Sequence, residues 1–281
     1  MSTILVVGAT RGLGASLVKQ YAATAANVVY GTARSSAVPS GFPGHVKWLN
    51  GVDLMKSSVG DDIVKLLGDA KPLSTLVSIL GDDPRRTCLV AVINIQEPQI
   101  ITAGHFSTED ISAEKGPNWD EELQMYTTSS VAPVFIVHRL VHAGLLHQGS
   151  KVILVSSEAG SIGLRHEKEG GGNYAHHASK SALNMVGKLL SLDLKEKGVI
   201  ISIVHPGFMR TDMTKGVGYD KYWDAGGAVT SDEAASTLIQ WTDHVDISKT
   251  GEYWAPRGPG DIGTAEETMG KNLETPLHLP W

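Results

Sequence analysis

The 281-residue chain is 42% hydrophobic and 19% charged, a composition that suits a globular protein with material for a sizeable core. Its net charge of −6 argues against nucleic acid or an anionic membrane as main partner, and the single cysteine, Cys88, excludes an internal disulfide. Apolar runs are short and interrupted, so no transmembrane helix is expected; the run entered at Thr3 leaves no room for a signal peptide, and the expected location is cytoplasmic.

In chain order, "TILVVG" reads as a buried strand closed by glycine, and "LGASLVKQYAA" has helical spacing. Between them lies "GATRGLG". Gly8, Gly12 and Gly14 let the backbone turn tightly and approach a phosphate, with Thr10, Arg11 and Leu13 completing the loop. The helix that follows points its N-terminal dipole at that charge. Strand, glycine loop and helix together form the context a dinucleotide site requires. An NAD site wants an acidic residue about 20 positions further on. None occurs between Gly14 and Val52. Arg34 and Ser35 end the second strand, "NVVYGTA", and Arg11 sits in the loop, a set that suits a 2′-phosphate. NADP(H) is therefore favoured over NAD(H). Asp53, after the third strand "VKWLNGV", is open to two readings, an adenine contact or a helix N-cap.

A helix over "SVGDDIVKLLGDA" leads to a fourth strand that starts well as "KPLSTLV" and is then interrupted. Excising Val77 to Gln99 joins the halves into "KPLSTLIITAGHF", so the segment reads as an insertion or a retained intron. If present in the folded chain it is expected to be exposed, or to replace "IITAG" as strand through "CLVAVINI"; Ala103 and Gly104 are expected to line the cofactor. "KVILVSS" and "IISIVHP" are later buried strands, each preceded by a long helical segment. Strands alternating with helices predict one α/β, doubly wound Rossmann domain with a parallel sheet over residues 1–258, followed by an irregular tail over 259–281.

The combination of "GATRGLG", "LVSSEAG", "ASKSALNM" and "HPGFMRTDM" resembles the short-chain dehydrogenase/reductase family, and within it the C-factor-like branch, over about Thr3 to Gly258. The resemblance implies a nicotinamide cofactor and a Ser-Tyr-Lys set assisted by Asn. Ser157 matches the serine and Lys180 the lysine; Pro206, Gly207 and Thr211 match the segment that faces the nicotinamide end. Two positions depart from the pattern. His176 stands where the tyrosine belongs, and Ser129, within "MYTTSSVAPVF", where the asparagine belongs.

In "NYAHHASK", Asn173 is expected to cap a helix that puts His176 and Lys180 one turn apart on a common face, with Tyr174 turned away. The "GLRHEKEGGG" loop is expected to border the substrate, where Arg165 and His166 are either substrate contacts or solvated charges. His138, His142, His147, His176 and His177 lack the carboxylates or thiols that would complete a metal site, and none is expected. The apolar stripes of "WDEELQMYTTSSVAPVFIVHRL" and of the helix after Ala178 suit a core face or a homodimer or homotetramer contact. The tail end, "TPLHLPW", is expected to dock over the substrate pocket or a neighbouring subunit. Two readings of function follow. One is an NADP(H)-dependent oxidoreductase of a small hydrophobic carbonyl or alcohol, with an atypical acid, His176 or Tyr174. The other is a non-redox isomerase, cyclase or cofactor-sensing protein.

Overall fold

A computed structural model describes residues 2–70, 73–78, 109, 111, 112, 114 and 116–281. Five short, buried apolar segments make the centre of the sheet: β1 (Thr3–Val7), β2 (Val28–Ala33), β4 (Thr75–Ser78), β5 (Lys151–Val155) and β6 (Ile200–Val204). β3 (Lys47–Asn50), β7 (Tyr253–Ala255) and β8 (Leu277–His278) extend it. The strand order is β3-β2-β1-β4-β5-β6-β7-β8, and only the β7–β8 pair is antiparallel. This is the expected doubly wound sheet, and the reversal of strand order beside β1 puts a crevice at the carboxyl ends of β1 and β4.

Strands buried on both faces need helices on both. α1 (Gly12–Ala23) and α7 (Ser231–His244) cover one face, where Leu13, Leu17 and Leu238 pack on Ile4, Val6 and Ile153. α2 (Val59–Leu67), α4 (Ala132–His142) and α5 (Tyr174–Leu194) cover the other, where Ile63, Ile136 and Leu183 pack on Leu76 and Leu154. Among the described residues no helix is long and apolar enough to cross a membrane.

Of the interrupted stretch, Val77 and Ser78 complete β4, paired with Val6 and Val7 on one side and with Ile153 and Leu154 on the other. The rest of that stretch, with Cys88, Ala103 and Gly104, lies outside the described residues. The tail carries more regular structure than its composition predicts. It forms a short helix, α8 (Ala265–Met269), and then β8, whose register sets Ala255 opposite Leu277. Leu277 and Leu279 are buried, and Pro280 and Trp281 accept hydrogen bonds through their carbonyls from Ser161 Oγ (2.7 Å) and Gly163 N–H (2.8 Å). Edge pairing and two buried leucines, rather than local propensity, order this segment.

Candidate active site

The loop after β1 has the geometry its glycines predict. Gly8 and Gly12 take positive φ (84° and 48°). A Cβ on Gly14 would lie 2.0 Å from the Gly8 carbonyl oxygen, so only glycine lets α1 start so close to the strand. A Cβ on Gly12 would meet nothing within 4 Å, so the loop's outer side is open. No acidic residue occupies the first turn of α1, and the positive end of its dipole is left to an external anion. Gly8 N–H is itself used, donating to Thr32 Oγ1 at 3.0 Å. Leu13 is buried; Thr10, Arg11 and Arg34 are half-buried and Ser35 exposed. The open backbone at Gly12 and the start of α1, which carries no acidic residue in its first turn, fit a phosphate-bearing group. Asp53 Oδ1 accepts from Met55 N–H at 3.0 Å and caps a turn; α2 starts later, after Ser58.

Ser157 follows β5 in extended conformation and caps a short 3₁₀ turn, Glu158–Gly160, its Oγ accepting from Ala159 N–H at 3.2 Å. The turn lies against α5 so tightly that a Cβ on Gly160 would stand 2.8 Å from Lys180 backbone carbon. Asn184 Nδ2 and Ser181 Oγ both donate to the Gly160 carbonyl, at 3.2 and 2.8 Å. The turn that Ser157 caps is thereby fixed against α5 at Lys180. Lys180 is fully buried, with Nζ donating to the Val155 carbonyl at 3.1 Å.

His176 lies one helical turn before Lys180 and is only 9% exposed. Burial first, then the charges of Lys180 and Arg165 and the neighbouring imidazoles of His177 and His205, hold its imidazole well below the usual histidine range. Tyr174, the first residue of α5, is 38% exposed. Asn173 does not cap the helix with its side chain. It adopts a left-handed conformation (φ 54°, ψ 36°) and makes no cap bond. The N–H of Ala175 is taken instead by the buried carboxylate of Glu109, at 2.8 Å. That contact spans 66 positions, and no local signal announces it.

Ser129 lies in a π-helical turn, Thr127–Val131, joining α3 (Trp119–Tyr126) to α4. The cause is legible: Thr127, Thr128 and Ser130 each donate a hydroxyl to the carbonyl four residues back, at 2.7, 2.9 and 2.9 Å. Such back-bonding competes with the regular ladder and widens it. Ser129 is fully buried, and its Oγ has no hydrogen-bond partner among the described residues.

Pro206 and Gly207 are buried at the end of β6, Gly207 with φ 109°. Thr211 is committed to a capping box with Thr214 at the start of α6 (Asp212–Gly216). Arg165 is an internal clamp rather than a free substrate contact. Its guanidinium pairs with Glu158 and, at 3.0 Å, with Glu169, and His166 Nδ1 caps the Glu167–Glu169 turn. Two further buried groups grip the Ser157 turn, though neither was among the expected site residues. Tyr253 donates its hydroxyl to the Ser157 carbonyl, and His205 accepts from Glu158 N–H at 3.0 Å.

Comparison with known proteins gives this geometry a context. The short chain dehydrogenase family profile matches residues 100–221. The 1-hydroxy-2-glutathionyl-2-methyl-3-butene dehydrogenase of Rhodococcus sp. (strain AD45) is 36% identical over 110 residues, 39% of this chain; the match spans 45% of that enzyme's length. An uncharacterized oxidoreductase of Saccharomyces cerevisiae is 30% identical over 244 residues, 84% of this chain and 88% of its own. The NADPH-bound carbonyl reductase from chicken fatty liver shares the fold across 100% of this chain and 99% of its own, with a TM-score of 0.64 at 18% identity. Fold, profile and near full-length likeness agree: the chain belongs to the short-chain dehydrogenase family and is an oxidoreductase of that type.

Proposed function

We propose that the chain is an NADP(H)-dependent oxidoreductase acting on a small hydrophobic carbonyl or the matching alcohol, with His176 in the place of the family's acid. The observation that carries this reading is the turn of α5 holding His176 and Lys180, both buried, against the turn that presents Ser157. The open loop at Gly12 and the helix dipole of α1 would hold the pyrophosphate, and Arg11 and Arg34 the 2′-phosphate. Bound NADPH would supply the reducing equivalent. Ser157 would donate a hydrogen bond to the substrate oxygen, and Lys180 would keep a fixed positive charge beneath it.

His176 would act chiefly as a hydrogen-bond donor. A neutral imidazole gives up its remaining proton far less readily than imidazolium, since that would leave an imidazolate, so an oxyanion formed here would be held by a hydrogen bond rather than protonated. The site therefore favours carbonyls whose reduced oxyanion is weakly basic, quinones above simple ketones. The same burial of His176 favours a second reading, a non-redox isomerase, cyclase or cofactor-sensing protein. One experiment separates the two. Both bind NADPH, followed by its fluorescence, but only the reductase oxidises it with turnover when quinones or ketones are added. Met185, Leu189 and Leu192 on α5, with Val131, Val134 and Phe135 beside and on α4, are exposed apolar positions that suit a homodimer or homotetramer contact. Static light scattering of the native protein and of Leu189→Glu tests that assignment.

A further inference from the structure

The end of β6 carries a buried polar cluster that the proposed reaction does not use directly. His205 Nδ1 accepts from Glu158 N–H at 3.0 Å. That nitrogen therefore bears no hydrogen, and a neutral ring carries its proton on Nε2. Nε2 faces Asp261 Oδ2 at 3.7 Å; the side chains are 6% and 3% exposed. Asp261 Oδ2 is held by Phe208 N–H at 2.5 Å, with Arg257 Nε 4.0 Å away. Burial opposes the charge on Asp261. The facing His205 ring, the Phe208 N–H that donates to Oδ2 and the Arg257 guanidinium outweigh it and keep the carboxyl below its usual range. The ionised carboxylate in turn fixes the imidazole tautomer that can accept from Glu158.

Gly207 makes the arrangement possible. A Cβ there would stand 2.6 Å from Arg257 Cδ and 2.8 Å from Asp261 Oδ2. Glu158 is the residue after Ser157. The Ser157 turn is thus gripped from two further sides, by His205 at the Glu158 N–H and by the Tyr253 hydroxyl at the Ser157 carbonyl. Asp261 belongs to the tail, 56 positions beyond His205 along the chain but beside it in space.

We propose that His205 and Asp261 are positioning residues for Ser157, a clip by which the C-terminal tail sets the orientation of the serine turn. The inference rests on the reading of Ser157 as the group that binds the substrate oxygen. Its function is to keep the Ser157 hydroxyl aimed at the reacting oxygen while the turn stays free of solvent.

The test combines amide exchange of the full chain with steady-state NADPH-dependent reduction of menadione. Histidine side-chain nitrogen spectra of the native protein should show His205 with its proton on Nε2; a proton on Nδ1 overturns the proposal. In His205→Ala the Glu158 amide should exchange about tenfold faster, as loss of one hydrogen bond implies. kcat should fall on the order of 10- to 100-fold with KM for NADPH unchanged, as misplacement of a reacting group implies. In His205→Asn the Oδ1 takes the place of Nδ1, and both the amide protection and most of kcat should return. Asp261→Asn should show the same direction as His205→Ala with a smaller effect. Unchanged Glu158 exchange in His205→Ala, or no advantage of His205→Asn over His205→Ala, overturns the clip. If the native protein turns over no substrate, the reductase reading falls, while the exchange and tautomer measurements still decide the positioning claim.

Discussion

Burial of a neutral imidazole at position 176 has a cost that pH reveals. The unfolded chain takes up a proton at this histidine near pH 6.5, while the folded chain resists it until well below that value. The unfolded state therefore binds more protons as pH falls, and stability falls with it. If the folded ring stays neutral, the loss is about 1.4 kcal/mol at pH 5.5 and about 2 kcal/mol at pH 5.0, relative to pH 8. His176→Gln removes the titrating group while keeping a polar side chain of similar reach. Urea unfolding of both proteins at pH 8.0, 6.5, 5.5 and 5.0 should show the native chain losing that much more than the variant. His177, also lowered by burial and by Arg165, and every other titrating group are common to both and cancel in the comparison. Parallel curves for the two proteins would refute the argument, because they would mean that His176 takes up its proton as easily folded as unfolded.

Further expectations attach to other parts of the molecule. NADPH should bind more tightly than NADH, through charge-assisted contacts worth about 1.5–3 kcal/mol each, and Arg34→Ala should remove most of that preference in a fluorescence titration; equal affinity of the native chain for both cofactors would refute it. Gly14→Ala should cost about 1–3 kcal/mol of stability and weaken NADPH binding, because its methyl group would collide with the Gly8 carbonyl; calorimetry with and without NADPH reads both effects. Leu279→Ala, at a buried position beside β8, should lower stability by about 2–5 kcal/mol in urea unfolding, against almost no change if the tail merely lies on the surface.

What could be read in the sequence was local and periodic. The strand, glycine loop and helix at the N-terminus are specified by residues a few positions apart, as is the spacing that sets His176 over Lys180. The π-turn at Ser129 was also local, in the run of hydroxyls over "TTSS", but it shows only when each hydroxyl is asked which carbonyl it would reach. The rest depended on contacts across the chain. Glu109 caps α5 in place of Asn173, whose backbone bends the other way. The end of the tail is ordered by pairing with β7, and Asp261 meets His205 because β7 runs parallel beside β6 and delivers the chain that follows it to the same end of the sheet. Arg165, a candidate substrate contact when read as an isolated charge, is committed to two carboxylates that fold its own loop.

The central claim is that His176 holds the acid's place and, being neutral, makes the site a weak reductant of simple ketones. The measurement that tests it most directly is NADPH oxidation at pH 7 with a panel of ketones and quinones, for the native chain, His176→Ala, His176→Tyr and Tyr174→Phe. The account predicts slow turnover of ketones by the native chain, its loss in His176→Ala, a gain in His176→Tyr, and little change in Tyr174→Phe. Brisk ketone reduction that survives His176→Ala and disappears in Tyr174→Phe would contradict it and make Tyr174 the acid.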